Sequence, residues 1–419
     1  MQGDTAGYQR AEAVYATHGV DVAAALHRLT TVSIALPCWQ GDDVKGFEDN
    51  SVAGSHEDMT LSGASRGRAR NADELRQDMA QALRLIPGAH RVGLHASYRD
   101  SGTHLDRDAI GVEHFAGWID WAREQKLGLD FNPTLFSHPL SADGFTLSHP
   151  DAGVRAFWVS HCQRSRAIAA EIAQQLGGTC VNNLWIPDGY KDMPVDRFSP
   201  RRRLIDSLDA IYLADPKRAG VVDTLESKLF GIGSETYVVG SHEFYLGYAS
   251  SRGLTLCLDA GHFHPTESVA DKVSSMFCYF DSLHLHFSRG VRWDSDHVVS
   301  FDDQTRAIAG ELVRGDCLEK THWGADFFDP SINRVAAWVI GARSILKSVL
   351  YALLEPNAAL LEQEQRWDYT RRLATFEASK TLPFGEVWEH FCRSQGVPGE
   401  WEWMREIERY EAEVLSSRE

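Results

Sequence analysis

Glu226, Asp259, His286 and Asp326 stand 33, 27 and 40 residues apart. Those intervals are close to the length of successive strand–helix units, so a fold built by repeating such units would bring the four together. His262 follows Asp259 in DAGHFHP, and RWDSDHVV places Asp294 and Asp296 two residues apart. Carboxylates and imidazoles gathered without cysteine suit a hard or borderline divalent cation, Mg2+, Mn2+ or Co2+, with Zn2+ admissible and copper disfavoured. The set exceeds what one ion with an open catalytic position takes from protein, and two ions sharing a carboxylate fit it better. Lys228 follows Glu226, and His95 and Trp185 end two other apolar runs, so all three would stand at the same rim. Taken singly, each of these residues has a plain structural reading as a surface acid, a turn residue or a core histidine. Those readings would all have to hold at one rim.

The elements that must position these residues are legible as a rhythm. Short apolar or alternating runs begin near residues 32, 91, 127, 179, 222, 254, 283 and 321 (VSIAL, RVGLHA, LGLDF, TCVNNLWI, VDTLES, LTLCLDA, LHLHFS, THWGADFF), with helical periodicity between them. One helix is opened by Asn71, with Glu74 three residues on, and closed by Pro87-Gly88. Another spans 334–354, where Val335, Trp338, Val339, Ala342, Ile345, Leu346, Val349, Leu350 and Leu353 form one stripe, with Asp329 or Ser331 suited to its start. Eight strands alternating with helices imply a closed (β/α)8 barrel, a TIM barrel of the α/β class, whose strand ends meet at one face. A doubly wound open sheet is the alternative, but no GxGxxG follows the first strand to support a dinucleotide version. Residues 1–28 read as a leading helix. The barrel domain would run over 1–354, and the charged, tryptophan-bearing stretch 355–419 would be a helical extension on the barrel or on another subunit. The aperiodic segment 41–67 reads as either a disordered stretch or a mobile lid over the barrel mouth.

Composition narrows the partners. A formal charge of -17 argues against nucleic acid, whose binding takes its affinity from clustered lysine and arginine, and Arg201–Arg203 is only a short helix face. Seven scattered cysteines without a CxxC pair read as reduced thiols, neither a disulfide framework nor a thiolate metal site. No secretory h-region and no membrane span of about 18 apolar residues is visible, so a cytoplasmic location is expected.

PCWQGDDVKGFE (37–48), LDFNPTLFSHPLSADGFTLSHPD (129–151), NNLWIPDGYKD (182–192) and ESKLFGIGSE (226–235) carry a resemblance, joined by CLDAGHFHPTE (257–267), RWDSDHVV (292–299) and DFFDPSINRVAAWVIG (326–341). Together they resemble the L-rhamnose isomerase family from about residue 10 to the C-terminus. The resemblance implies a xylose isomerase-like (β/α)8 barrel, two divalent metals, usually Mn2+, and a homotetramer. By motif, Glu226, Asp259, His286 and Asp326 would hold the first metal. His262, Asp294 and Asp296 would hold the second, catalytic one, with Asp259 as the bridge. Lys228 would sit beside the reacting carbons of the sugar, and Trp185 and His95 would line it. Where the family carries TGNYPGKARN in its mobile loop, this chain reads LSGASRGRARN, keeping Gly67, Ala69, Arg70 and Asn71 but losing the aromatic and the proline. That departure bears on preference among related aldoses and leaves the metal ligands untouched.

The expected reaction is conversion of L-rhamnose to L-rhamnulose. A hydride would shift from C2 to C1 while a metal-bound water near Asp294 and Asp296 carries the hydroxyl proton, and Lys228 would stabilise the developing alkoxide. Competing readings are isomerisation of another aldose, a metal-dependent hydrolase on a similar barrel, and a non-catalytic sugar- or metal-binding barrel. The acidic balance counts against the hydrolase, and the full His262, Asp294, Asp296 set counts against the last.

Overall fold

The computed structural model describes residues 5–48, 65–100, 105–214, 218–231, 233–292 and 295–418. Eight parallel strands form one sheet: β1 (Ile34–Pro37), β2 (Arg91–His95), β3 (Gly128–Asn132), β4 (Cys180–Leu184), β5 (Val221–Glu226), β6 (Thr255–Asp259), β7 (Leu283–Phe287) and β8 (Thr321–Ala325). All eight expected strands are present. Their side chains are buried on both faces along most of their length, because helices cover the outside and the barrel interior is filled from within. Around the sheet the order is β3-β2-β1-β8-β7-β6-β5-β4, so hydrogen-bonded ladders join every neighbour except β3 and β4.

Side chains close that seam. Val181 N–H on β4 donates to Asp130 Oδ1 at 2.8 Å, and Asn182 Nδ2 donates to Phe131 O at 2.7 Å. Arg91 on β2 spans the joint, donating to Asp130 Oδ1 at 2.7 Å and to Thr179 O at 2.6 Å. Backbone groups that would be orphaned in a buried, unpaired strand thereby gain partners.

The leading segment is two helices, α1 (Thr5–Thr17) and α2 (Val22–Leu29), rather than the single helix expected over 1–28. Gly19, at φ 75°, turns the chain between them, and Asp21 caps α2 by accepting from Ala24 N. In α3 (Ala72–Leu83), Asn71 Oδ1 accepts from Glu74 N at 2.9 Å as the spacing predicts, but the helix ends before Pro87-Gly88. The barrel continues with α4 (Ala116–Gln125), α5 (Ala152–Leu176), α6 (Phe198–Tyr212), α7 (His242–Arg252), α8 (Ala270–Met276), α9 (Asp303–Arg314) and α10 (Arg334–Leu353). The start of α10 is capped by Asn333, which accepts from Val335 N and Ala336 N, while Asp329 accepts from Ser331 N one turn earlier. Although α10 is long and apolar enough to cross a membrane, 83% of its apolar window is buried inside the protein, which makes it a core helix.

After α10 come α11 (Asn357–Gln365), α12 (Tyr369–Ser379), α13 (Phe384–Ser394) and α14 (Trp403–Glu413). The last two pack back on the barrel. His390 stacks on Tyr8 of α1, and Glu400 receives Arg343 of α10 and Nε1 of Trp388. The chain end is locked by Arg418, which donates to both oxygens of buried Asp78 at 2.6 and 2.9 Å. Of the segment 41–67 expected as a disordered stretch or a lid, residues 49–64 lie outside the described residues. Both of its described ends are anchored: before those residues Asp43 pairs with Arg334 and Glu48 with Arg107, each at 2.8 Å, and after them Ser65 N–H donates to Pro330 O at 2.9 Å.

Candidate metal centre

Strand register decides which residues meet. Asp259 is the Cα partner of His286, and His286 that of Gly324. Glu226 ends β5 beside Cys257 of β6, and Asp326 follows β8, its N–H bonded to Phe287 O at 2.9 Å. The carboxyl ends of four adjacent strands thus converge, and Glu226, Asp259, His286 and Asp326 each offer a ligand atom within 4.8 Å of the others. His286 Nδ1 lies 3.2 Å from Glu226 Oε2, 3.3 Å from Asp326 Oδ2 and 3.6 Å from Asp259 Oδ2. A ring nitrogen has one proton or one lone pair to give. It cannot satisfy three carboxylates, and a cation between them would.

The backs of the carboxylates are organised for that purpose. Asp259 Oδ1 accepts from Gly261 N and from Ser288 Oγ, both at 2.6 Å, leaving Oδ2 buried and without a hydrogen bond. Asp326 Oδ1 accepts from Trp39 Nε1 at 2.9 Å, leaving Oδ2 toward the imidazole. Glu226 Oε2 accepts from Asn183 Nδ2, while Oε1 lies 3.2 Å from His262 Nδ1. Asp259 and Asp326 each have one oxygen fixed by a protein donor and turn the other inward, while Glu226 holds Oε2 between Asn183 and His286 and turns Oε1 to His262, the kind of orientation that outer hydrogen bonds impose on metal ligands. The donor set is oxygen and imidazole nitrogen, which fits a hard or borderline divalent ion. Glycine at 324 makes room for the ring, since a Cβ there would come within 2.6 Å of His286 Cδ2 and 3.1 Å of His284 Nε2.

Electrostatics point the same way. Burial opposes the charge of Glu226, yet the facing His286 and His262 imidazoles outweigh it and hold the carboxyl well below the usual range. Burial, with Glu226 and Asp326 close by, pushes Asp259 up to about 7 despite attraction from His262. Burial works against a charge on His286 too, but Cys257 and Glu226 beside it raise its affinity for a proton well above that of free imidazole. A proton on His286 therefore stands where a cation's charge would otherwise be, and cation uptake displaces protons from this cluster. The expected consequence is an apparent Mn2+ affinity that falls as pH drops, through the His286 proton and, below about 7, more steeply through that of Asp259, about tenfold per pH unit for each proton displaced. Mn2+ titrations between about pH 5.5 and 8 check this, and an affinity independent of pH over that range would contradict it.

The other expected site residues are placed less evenly. His262 is buried at the edge of the cluster, next to Glu226. Asp294 lies outside the described residues. Asp296 sits in left-handed backbone at φ 41° with Oδ1 buried, and its carbonyl accepts from Phe328 N at 3.1 Å, which ties its loop to the segment after β8. His297 turns its ring to Ser295 Oγ at 2.9 Å and bridges by backbone to Arg289. Lys228 Nζ donates to Pro187 O and Ser234 Oγ, both at 3.1 Å, and lies 5.6 Å from the Trp185 ring centroid. Trp185 Nε1 is a buried donor with no hydrogen-bond partner among the described residues. His95 is half-buried at the end of β2, desolvation there pushes its pKa down to about 3, and its Nδ1 meets Thr134 Oγ1 at 3.2 Å.

Sequence reasoning missed the residues that connect these. Trp39 packs edge-on against His95 and donates to Asp326, and Phe136 packs against both His95 and Trp185. The result is an aromatic wall, Trp39, His95, Phe136 and Trp185, ending in the Lys228 ammonium. Asp188, also at a strand end, is structural: both its oxygens are taken by the Thr146 and Ser148 hydroxyls and amides. Cys257, expected to lie apart from any metal chemistry, is buried against the outer side of the His286 ring.

A family model described as L-rhamnose isomerase matches residues 4–418. The L-rhamnose isomerase of Rhodopirellula baltica is 55% identical over 412 residues, covering 98% of this chain and 96% of that protein. That of Cronobacter sakazakii is 54% identical over 413 residues, covering 98% of each. Among solved structures, D-psicose 3-epimerase from Clostridium cellulolyticum H10 matches with a TM-score of 0.43 at 14% identity, over 66% of this chain and 90% of that one.

Proposed function

This chain belongs to the L-rhamnose isomerase family, and we propose that the mouth of its barrel converts L-rhamnose to L-rhamnulose with the acid–imidazole cluster holding the metal. The enzyme is an aldose–ketose isomerase. The observation that carries the site assignment is the arrangement of Glu226, Asp259 and Asp326, each with one oxygen on a protein donor and the other facing imidazole. Glu226, Asp259, His286 and Asp326 would hold one divalent ion. His262, Asp294 and Asp296 would hold a second, with Asp259 shared between them. When bound, the ions, Mn2+ first among Mn2+, Co2+, Mg2+ and Zn2+, would polarise adjacent sugar oxygens as Lewis acids.

The chain's own groups supply orientation and charge. The wall from Trp39 to Trp185 offers an apolar face to one side of a sugar. Its depressed pKa keeps His95 neutral, so its ring adds no second positive charge beside the metal ligands. Lys228, held by Pro187 O and Ser234, points an ammonium at the end of that wall, where it would stabilise negative charge on an oxygen of the reacting carbons. The hydrogen on C2 would move to C1 as hydride, and Asp294 and Asp296 are the carboxylates that would guide the O2 proton to O1. The exchange is redox-neutral and needs no co-reactant.

In this reading 1–354 is the catalytic barrel and 355–419 the extension that meets neighbouring subunits of a cytoplasmic homotetramer. Exposed Leu361, Trp367, Tyr369 and Leu373 on α11, α12 and their connection support that role, since grouped apolar side chains on a surface are costly unless covered. The test is direct: protein stripped with a chelator is given L-rhamnose with and without Mn2+. Ketose forming only with the ion is expected, and no ketose with any of the four ions would refute the proposal. Starting from C2-deuterated sugar, retention of the label in the ketose is expected, and complete washout would refute the hydride step.

A further inference from the structure

The layer of side chains beneath the metal cluster contains a buried polar chain that touches no substrate. Asn183 of β4 and Thr224 of β5 are Cα partners, and Cys257 of β6 is the partner of His284 of β7. Thr224 and His284 each stand two residues before a member of the cluster, Glu226 and His286, so they face the same interior one layer down. Thr224 is fully buried, and Asn183 and His284 are 3% exposed. Their contacts form one line: His284 Nδ1 to Thr224 Oγ1 at 3.2 Å, Thr224 Oγ1 to Asn183 Oδ1 at 2.6 Å, and Asn183 Nδ2 to Glu226 Oε2.

Glu226 imposes the direction of this line. An ionised carboxylate only accepts, so Asn183 must turn its NH2 to Glu226 and its carbonyl oxygen to Thr224. The single hydroxyl proton of Thr224 is thereby committed to Asn183 Oδ1. What remains on Thr224 Oγ1 is a lone pair, so the His284 contact is a donation from His284 Nδ1–H. That leaves His284 Nε2 as an acceptor on the side where Gly324 admits both rings, against the outer edge of His286. His286 turns Nδ1 to the carboxylates, so its Nε2–H is directed toward that edge, where His284 and Cys257 lie.

We propose that Asn183, Thr224 and His284 are positioning residues for the metal centre: they hold from behind Glu226 Oε2, the oxygen 3.2 Å from His286 Nδ1, and fix which nitrogen of His286 faces the ion. The inference rests on the assignment of Glu226 and His286 as ligands. It distinguishes a purpose-built polar layer from ordinary core packing, because the hydroxyl of Thr224, and not its shape, carries the effect.

The test is Mn2+ affinity, measured on the full chain by chelator competition and by the electron paramagnetic resonance signal of free Mn2+. Thr224→Val keeps the shape and removes the hydroxyl, while Thr224→Ser keeps the hydroxyl. The expected result is affinity weakened by about 10- to 100-fold in T224V and restored to within about threefold of wild type in T224S. Asn183→Leu and Thr224→Ala carry the same expectation as T224V should that variant fail to fold. Equal affinities in wild type, T224V and T224S, or equal losses in T224V and T224S, would overturn the proposal. Wild-type protein that binds no Mn2+ would instead overturn the metal assignment beneath it.

Discussion

Glu226→Gln is expected to lose at least about a thousandfold in kcat/KM on L-rhamnose and to need far more Mn2+ for what activity remains. Glu226 is 2% exposed and bridges the two imidazoles, with Oε2 beside His286 and Oε1 beside His262. Glutamine keeps the volume but removes the charge and replaces one oxygen by a donor. If its NH2 faces Asn183, two donors oppose each other and the Asn183–Thr224 line loses its anchor. If its NH2 takes the Oε1 position instead, a donor replaces the oxygen that faces His262 Nδ1. Neither orientation leaves a complete ligand set, and a loss of about 4 kcal/mol in the transition state corresponds to about three powers of ten. The metal-free variant is expected to unfold below the wild-type temperature, because the facing His286 and His262 hold the Glu226 carboxyl well below its usual pKa, so its charge stabilises the fold and glutamine removes that contribution. Steady-state kinetics with a thermal melt of the stripped protein checks both statements. Near-normal turnover would remove Glu226 from the site.

What the sequence disclosed follows from which interactions are periodic. Strands buried on both faces are near-continuous apolar runs, so β1 to β8 stand out, and the residue at each strand end can be read off without knowing any contact. That is why Glu226, Asp259, His286 and Asp326 are legible as a set. Their supports are not. Trp39 lies 287 residues from Asp326, whose oxygen it holds, and Asn183 lies 43 residues from Glu226. Nothing in either local pattern distinguishes these side chains from ordinary core, and only the barrel's closure reveals the pairing. Some signals were available. Trp39 follows β1 as Trp185 follows β4, and Thr224, Asn183 and His284 are polar residues inside otherwise apolar strands, a conflict with local pattern that marks functional sites. The start of α10 was misjudged because Asp329, Ser331 and Asn333 all suit a cap, and only geometry shows that Asn333 serves.

Arg107→Ala is expected to cost about 3 to 5 kcal/mol of stability and, at temperatures where it is folded, to raise KM for the sugar. Arg107 and Glu48 are 2% and 5% exposed in their side chains, so the substitution strands a buried carboxylate. The guanidinium does more than pair with Glu48. It donates to Thr134 O at 2.8 Å, Phe136 O at 2.5 Å and Ser137 O at 3.2 Å, gathering the loop after β3 around one planar group. That loop holds Ser137 in left-handed backbone at φ 52° and presents Phe136 of the aromatic wall and the Thr134 hydroxyl that meets His95. A double variant, Arg107→Met with Glu48→Leu, separates the two effects. Replacing the whole ion pair by apolar groups removes the buried-charge penalty and is expected to recover most of the stability. It restores none of the three carbonyl bonds, so KM stays raised. Urea unfolding of metal-loaded protein and Michaelis kinetics provide the two readouts. A single variant within about 1 kcal/mol of wild type, or a double variant that recovers KM along with stability, would show that the loop holds its shape without Arg107.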